Sequence, residues 1–296
     1  EGQLVMIGST FNGTLNMESL EVGSHLFMRD TVVEKPILLI FARIQGNLDI
    51  SGAVLSSLNL TSTKVVKEFR LGSGSHLPVK WKGNSELILR NTEVGNLQDV
   101  PESWPDTLKL QLDGFVYQRL GGLSGNDRTD MATREISWLK EWLGKQKNYS
   151  PRPYQQLAQV LKNAGYEDKA TAILFEGKKR QQKETKTLLN WWWLFLQWLF
   201  IGYGYDNFRV LGPVLILCVL GMATLYLSGQ KVVAHRMKYW GLWYSLDMLL
   251  PIIELDKSHH DIPLDGWVKV YFYVHKLLGY VLALFLIAGL SGLTKM

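Results

Sequence analysis

Apolar and polar residues alternate in short runs through the first third of the chain. The pairs Leu15/Met17, Leu26/Met28, Leu38/Ile40, Leu48/Ile50 and Leu58/Leu60 each have i, i+2 spacing. They recur about every ten residues. Turn formers and small or β-branched residues stand between them, as in Val22-Gly23, Ile44-Gln45-Gly46, Ala53-Val54 and Val65-Val66. Period-two alternation broken by Gly, Asn and Ser predicts short strands. A repeat that cannot bury its apolar face alone must stack on its neighbours. The pattern therefore predicts a parallel β-solenoid over 1–130, with Leu15, Leu26, Leu38, Leu48 and Leu58 in one inward column. A β-sandwich is the competing fold, but its strands rarely recur at so short and even a spacing.

The period changes after residue 130. Ile136, Leu139 and Leu143 share one helix face, with Trp138 and Trp142 beside them. Pro151 and Pro153 open a second helix, Leu157, Val160 and Leu161 line it, and Gly165 ends it. Ala170, Ile173 and Leu174 begin a third. Residues 131–187 thus read as a short α-helical hairpin that leads into the basic run Lys178, Lys179, Arg180, Lys183 and Lys186.

Residues 188–209 are crowded with aromatics, including Trp191, Trp192, Trp193 and Trp198. Trp favours the headgroup level of a bilayer, so this stretch is expected to be an interfacial helix anchored by those four rings. Residues 210–228 carry no charge over 19 positions and predict a transmembrane helix. Residues 267–293 predict a second, with Lys269 and Lys276 able to snorkel from its first third. Between them, 239–253 is apolar except for Asp247. That run is too short to span, and a charged residue at mid-depth disfavours lipid exposure. The expectation for 210–296 is a two-helix membrane domain with a re-entrant half-helix packed inside an oligomer.

Composition sharpens this division. The 296 residues carry a net charge of +5, but 131–187 alone holds 12 Lys/Arg against 6 Asp/Glu. A basic segment before an apolar one reads as a lipid-binding juxtamembrane patch, here Lys178, Lys179, Arg180, Lys183 and Lys186. A solvated helix face explains the same charges. Cys218 is the single cysteine, so no disulfide framework forms within the chain, as suits a reducing compartment. No signal peptide is visible. Glu1 falls inside the repeat, which leaves room for residues upstream.

The phrase IQGNLDISGAVLSSLNLTSTKV resembles the right-handed β-solenoids of the pentapeptide-repeat type, and bacterial proteins with G-x-L-x-I-x-G-A-x-I coils. The likeness covers about the first 70 residues well and 85–122 loosely. Some members of that group are acidic DNA mimics. Residues 1–130 hold 15 Asp/Glu against 12 Lys/Arg, too mild a balance to carry that role over, and no nucleic acid partner is expected. The phrases GYGYDNFRVLG, WYSLDMLLPIIELD and LIAGLSGLTK are similar to the C-terminal region of bacterial membrane-associated β-solenoid proteins of uncertain function. Some of those are labelled oxidoreductases, but no dinucleotide fingerprint stands here. The order helix, half-helix, acidic loop, helix also resembles the two-helix pore module of tetrameric cation channels.

Candidate chemistry is sparse. The string Ile201-Gly202-Tyr203-Gly204-Tyr205-Asp206 suggests a potassium filter, but it precedes the first span, so a glycine-hinged turn is expected. Glu254 and Asp256 follow the half-helix and would form acidic rings in a symmetric oligomer, or else belong to an exposed polar loop. His259, His260 and Asp261 are adjacent in sequence and face one metal poorly. Asp247 is either functional at membrane depth or a packing hydrogen-bond partner of Tyr244 or Ser245. Ser245, Asp247, Glu254 and Asp256 are the candidate pore or membrane-polar residues. No catalytic motif, metal site or cofactor site is found, and an enzyme is not expected. Two readings remain: an oligomeric membrane-anchored scaffold or sensor whose solenoid binds a cytoplasmic protein, or a pore gated by that solenoid, such as a stress or anti-phage effector. A pore would be tetramer-like.

The positive-inside rule predicts a cell inner membrane location with the N-terminal domain cytoplasmic, because five Lys/Arg lie in 178–186 ahead of the first span. Reporter fusions at both termini should report the same side of the membrane. Opposite sides would mean that 239–253 crosses the bilayer.

Overall fold

The computed structural model describes residues 2–73, 75–121, 130–228, 241–251, 253–259 and 261–291. It divides into two compact units, Glu1–Gln181 and Gln182–Met296.

The first unit is a parallel β-solenoid of about five coils. Its register explains the sequence repeat. Leu4 pairs with Leu26 and Leu26 with Leu48, so one coil takes 22 residues. The repeat seen in the sequence is therefore about half a coil, and its successive copies fall on opposite sides. One inward column is Leu4, Leu26, Leu48, Phe69, Leu97 and Leu120. The facing column is Leu15, Ile37, Leu58, Leu87 and Leu110. The single column expected from the sequence is thus two columns. Leu38 is also corrected: it is half-buried, while Ile37 and Leu39 on either side are fully buried. With a side-chain period of two, a one-residue error turns the residue to the other face.

The early coils are built from two-residue strands, four to a turn. Later they fuse: Val54–Asn59 pairs with both Val32–Val33 and Ile37–Leu38. Corner residues Ser19, Phe41, Ser62 and Asn91 all adopt positive φ. The next corner in that stack is Gly114, where a Cβ would collide with the Asn91 side chain. Two buried charges are held inside. Asp49 accepts from Arg70 Nη1 at 3.2 Å and from the Ser51 N–H at 3.0 Å. Asp99 takes both guanidinium nitrogens of Arg134, at 2.8 and 3.0 Å, and the Trp104 indole N–H. Buried charges persist only when paired in this way.

Helices α1 (Ile136–Gly144), α2 (Pro151–Asn163) and α3 (Glu167–Glu184) follow. They are the three helices read from the sequence, and the basic run begins inside α3. Leu139, Trp142 and Leu143 from α1, with Leu157 and Leu161 from α2, join the same hydrophobic core as the last coil's Phe115 and Tyr117. Gln146 accepts from the Leu112 N–H at 3.1 Å, and Gln156 donates to the Tyr117 carbonyl at 2.7 Å. These side chains satisfy backbone groups that the end of a sheet leaves open.

The second unit holds α4 (Leu188–Ile201), α5 (Leu211–Leu227), α6 (Gly241–Leu249) and α7 (Gly266–Leu290). The segments Phe208–Leu227 and Gly266–Leu290 are long and apolar enough to cross a membrane, which suggests membrane association. Leu215, Ile216, Leu277 and Leu284 on them are more than 60% exposed, as lipid-facing side chains would be.

Leu48 is fully buried in the column, so Leu48→Ala should cost about 2–5 kcal/mol in a denaturation experiment on the full chain. Leu48→Asp should abolish the folded solenoid, because the carboxylate would find no partner there. A soluble, protease-resistant Leu48→Asp protein would contradict this register.

Candidate functional site

Polar side chains gather where α6 lies between α5 and α7. Small residues make this seat. A Cβ at Gly221 of α5 would strike the Ser245 hydroxyl, and one at Gly279 of α7 would strike the Leu249 carbonyl. α6 therefore sits closer to both neighbours than any larger residue would allow.

Asp247 is buried and both its oxygens are engaged. Oδ1 accepts from the Leu255 N–H at 2.7 Å, and Oδ2 meets His259 Nδ1 at 2.8 Å. The Tyr244 ring closes over His259, with centroids 5.4 Å apart. Asp247 is thus bound to the loop that leaves α6, rather than to Tyr244 or Ser245. The loop's acidic side chains lie outside this cluster: Glu254 and Asp256 are exposed, and Asp256 accepts from the Ser258 N–H at 2.9 Å. The four candidate pore residues therefore separate into an inner pair, Ser245 and Asp247, and an outer pair.

Ser245 and His275 look at first like a nucleophile and its base. Their Oγ and Nε2 atoms are 3.3 Å apart and both residues are buried. Nε2 also lies 3.0 Å from the Ser245 carbonyl. A carbonyl only accepts, so Nε2 carries the proton and has no lone pair to take one from the hydroxyl. Nδ1 is left to accept from the Tyr271 hydroxyl at 3.4 Å. The arrangement joins helices; it does not activate Ser245. Among the described residues, no three His, Cys, Asp or Glu side chains gather to hold a metal ion. His260 lies outside the described residues.

The basic candidates also divide. Arg180 donates to the carbonyls of Leu143 and Lys147, at 3.2 and 3.3 Å, and to that of Gln146. Its guanidinium reaches the end of α1, where the helix dipole favours cations. Lys178 is half-buried, and burial lowers its ammonium pKa. Lys179, Lys183 and Lys186 are exposed.

Among the aromatic anchors, Trp192 and Trp193 are about half exposed. Trp191 stacks on Phe195 at 5.4 Å, and Arg209 lies 4.6 Å from the Trp198 ring. Trp193 and Phe200 pack against Phe285 of α7. Gly202, Tyr203 and Gly204 all have positive φ, and the buried Tyr203 donates to Gln182 at 2.5 Å. That is a tight turn between α4 and the following helix, the geometry expected of the hinge and not of an ion filter.

No family model matches the chain, and neither a curated protein nor a solved structure matches it significantly. The candidate site therefore rests on its own geometry. Sequence reasoning did not find His275, Tyr271, Gly221 or Gly279 as members of the cluster. The pairing signal was His275 itself, a titratable residue inside an apolar run.

Asp247→Ala should free the loop. The Leu255 amide would exchange with solvent roughly tenfold faster or more, because a buried hydrogen bond worth about 1–3 kcal/mol is lost. An unchanged exchange rate would show that Asp247 does not hold the loop.

Proposed function

We propose that this chain is a membrane-anchored scaffold whose β-solenoid, on the cytoplasmic side, docks a partner protein beside the bilayer. The supporting observation is a groove along the solenoid lined in part by Arg43 and Arg152, with an exposed aromatic, Phe41, near it in the chain. Arg43, Gln45, Lys64, Val66, Asn91 and Glu93 line one part. Asn91 and Glu93 also border the next part, which α2 completes with Arg152, Gln155 and Gln159. Lys64 and Glu93 neutralise one another at 2.8 Å. Arg43 and Arg152 leave the groove positive.

Phe41 stands two residues from Arg43 at a corner, 64% exposed, with φ at +59°. A bulky side chain in the left-handed region costs of order 1–2 kcal/mol, and strain of this kind is typical of functional surfaces. A partner offering an acidic segment with an apolar anchor fits these features. The role is one of binding rather than catalysis.

A second reading, an ion pathway formed by several copies, is favoured by one observation: α6 runs in alongside α7 and its loop turns back. Ion flux into liposomes containing the intact protein separates the readings. The scaffold should pass no ions, and flux that Glu254→Gln alters would favour the pathway.

The docking surface can be tested in native membranes with a photo-crosslinking residue at Val66. The wild-type chain should give a discrete adduct. Arg43→Glu with Arg152→Glu should cut its yield by roughly tenfold or more, while Phe41→Asn should cut the yield and raise thermal stability. An adduct unaffected by any of these changes would refute this docking face.

A further inference from the structure

The path of α6 and its loop along α7 can be followed contact by contact. The Tyr244 ring lies against Phe272 at 5.2 Å. One turn on, the Ser245 carbonyl meets His275. Leu249 rests on Gly279. Just beyond the helix, the Pro251 carbonyl accepts from the Tyr280 hydroxyl at 3.2 Å. The chain then reverses: by His259 it is back beside Asp247 and Tyr244. At about 1.5 Å per residue, Phe272 lies ~9 Å and Tyr280 ~21 Å along a helix of ~37 Å. The tip of the hairpin is therefore near the middle of α7.

That depth creates a conflict within one copy. Ile253, Glu254, Leu255, Asp256, Lys257 and Ser258 are all exposed and are not in an α-helix. If α5 and α7 cross a bilayer, several of these residues lie at hydrocarbon depth. Lipid satisfies neither bare peptide groups nor charged side chains; irregular backbone at that depth survives only against protein or a water-filled cavity. The Asp247 bonds to the Leu255 N–H and His259 satisfy only the inner side of the loop. Among the described residues of this unit, none covers the outer side.

We infer that a second copy of this chain covers the hairpin, seated on its exposed loop and on the outer face of α6. Two observations favour a copy over an unrelated protein. The loop carries both signs in adjacent positions, Glu254 and Asp256 with Lys257, so it complements its own image: the acid of one copy meets the lysine of the next. On α6, Leu242 and Trp243 are 39% and 49% exposed and add apolar area for the same partner. Point-group symmetry then encloses every loop, whereas one heterologous partner would need a surface of both signs matched to this one. The inference rests on α5 and α7 crossing the membrane, and it holds whether the enclosed space conducts ions or not.

The test uses the full chain in its native membranes. In a Cys218→Ser background, Glu254→Cys and a bis-maleimide should give cross-linked dimers and higher species, and mass photometry in nanodiscs should show multiples of the protomer. Glu254→Lys should weaken self-association by roughly tenfold or more, and adding Lys257→Glu should restore it. Flotation with lipid is measured first. A protein that floats but stays monomeric, with residue 254 uncross-linked, overturns the inference and leaves the membrane reading standing. A protein that does not float overturns both. Multimers indifferent to both charge changes also overturn it, because the contact would then lie elsewhere.

Discussion

Every coil of the solenoid leans on the next, and the register between them, 22 residues in the first coils and 21 to 28 later, is the constraint on which the first unit depends. A two-residue strand such as Leu26–Phe27 has no stability alone. Stacked between Leu4–Val5 and Leu48–Asp49, it gains ladder hydrogen bonds on both sides and buries its leucine completely. The corners must repeat as faithfully as the strands. Hence the left-handed residues stack over one another, and Gly114 stands where the Asn91 side chain leaves no room for a Cβ. Phe41 is the residue in this stack that local physics would not choose.

Charge is brought into this core only where the stack can match it. Asp49 is fully buried but sits between coils that supply Arg29 and Arg70. Asp99 does the same for the segment entering α1, through Arg134. These pairs contribute little net stability, since desolvation offsets much of the attraction. Their effect is positional: a coil shifted by one residue would bury an unpaired carboxylate. Asp99–Arg134 thereby fixes where the helices begin.

The second unit rests on a different device. Tyr244 and Met248 of α6 pack with Leu225, Val268 and Phe272, and polar and close contacts add to this. Close approach at Gly221 and Gly279, the His275–Ser245 bond and the Asp247 link to the returning loop hold α6 in register. The same residues that would be costly in lipid are the ones that shape the hairpin. They leave its outer charges for another surface to meet.

The sequence by itself determined the classes of element and their order. Period-two pairs with Gly and Asn between them favoured short stacked strands, and the uncharged run at 210–228 was long enough to span. Length and charge also fixed 239–253 as too short to cross, because both constraints are local and add along the chain. The tertiary structure decided which residues meet. Ile37 rather than Leu38 faces inward, because register depends on pairing with Leu15 and Leu58 in the neighbouring coils. Arg180 meets the end of α1, because α3 passes that helix at a distance no local pattern encodes. Asp247 was legible as an unusual charge, but its partners were not. Leu255 and His259 reach it only because the chain reverses beyond Pro251, and a turn's direction is set by what it packs against, here Gly279 and Tyr280.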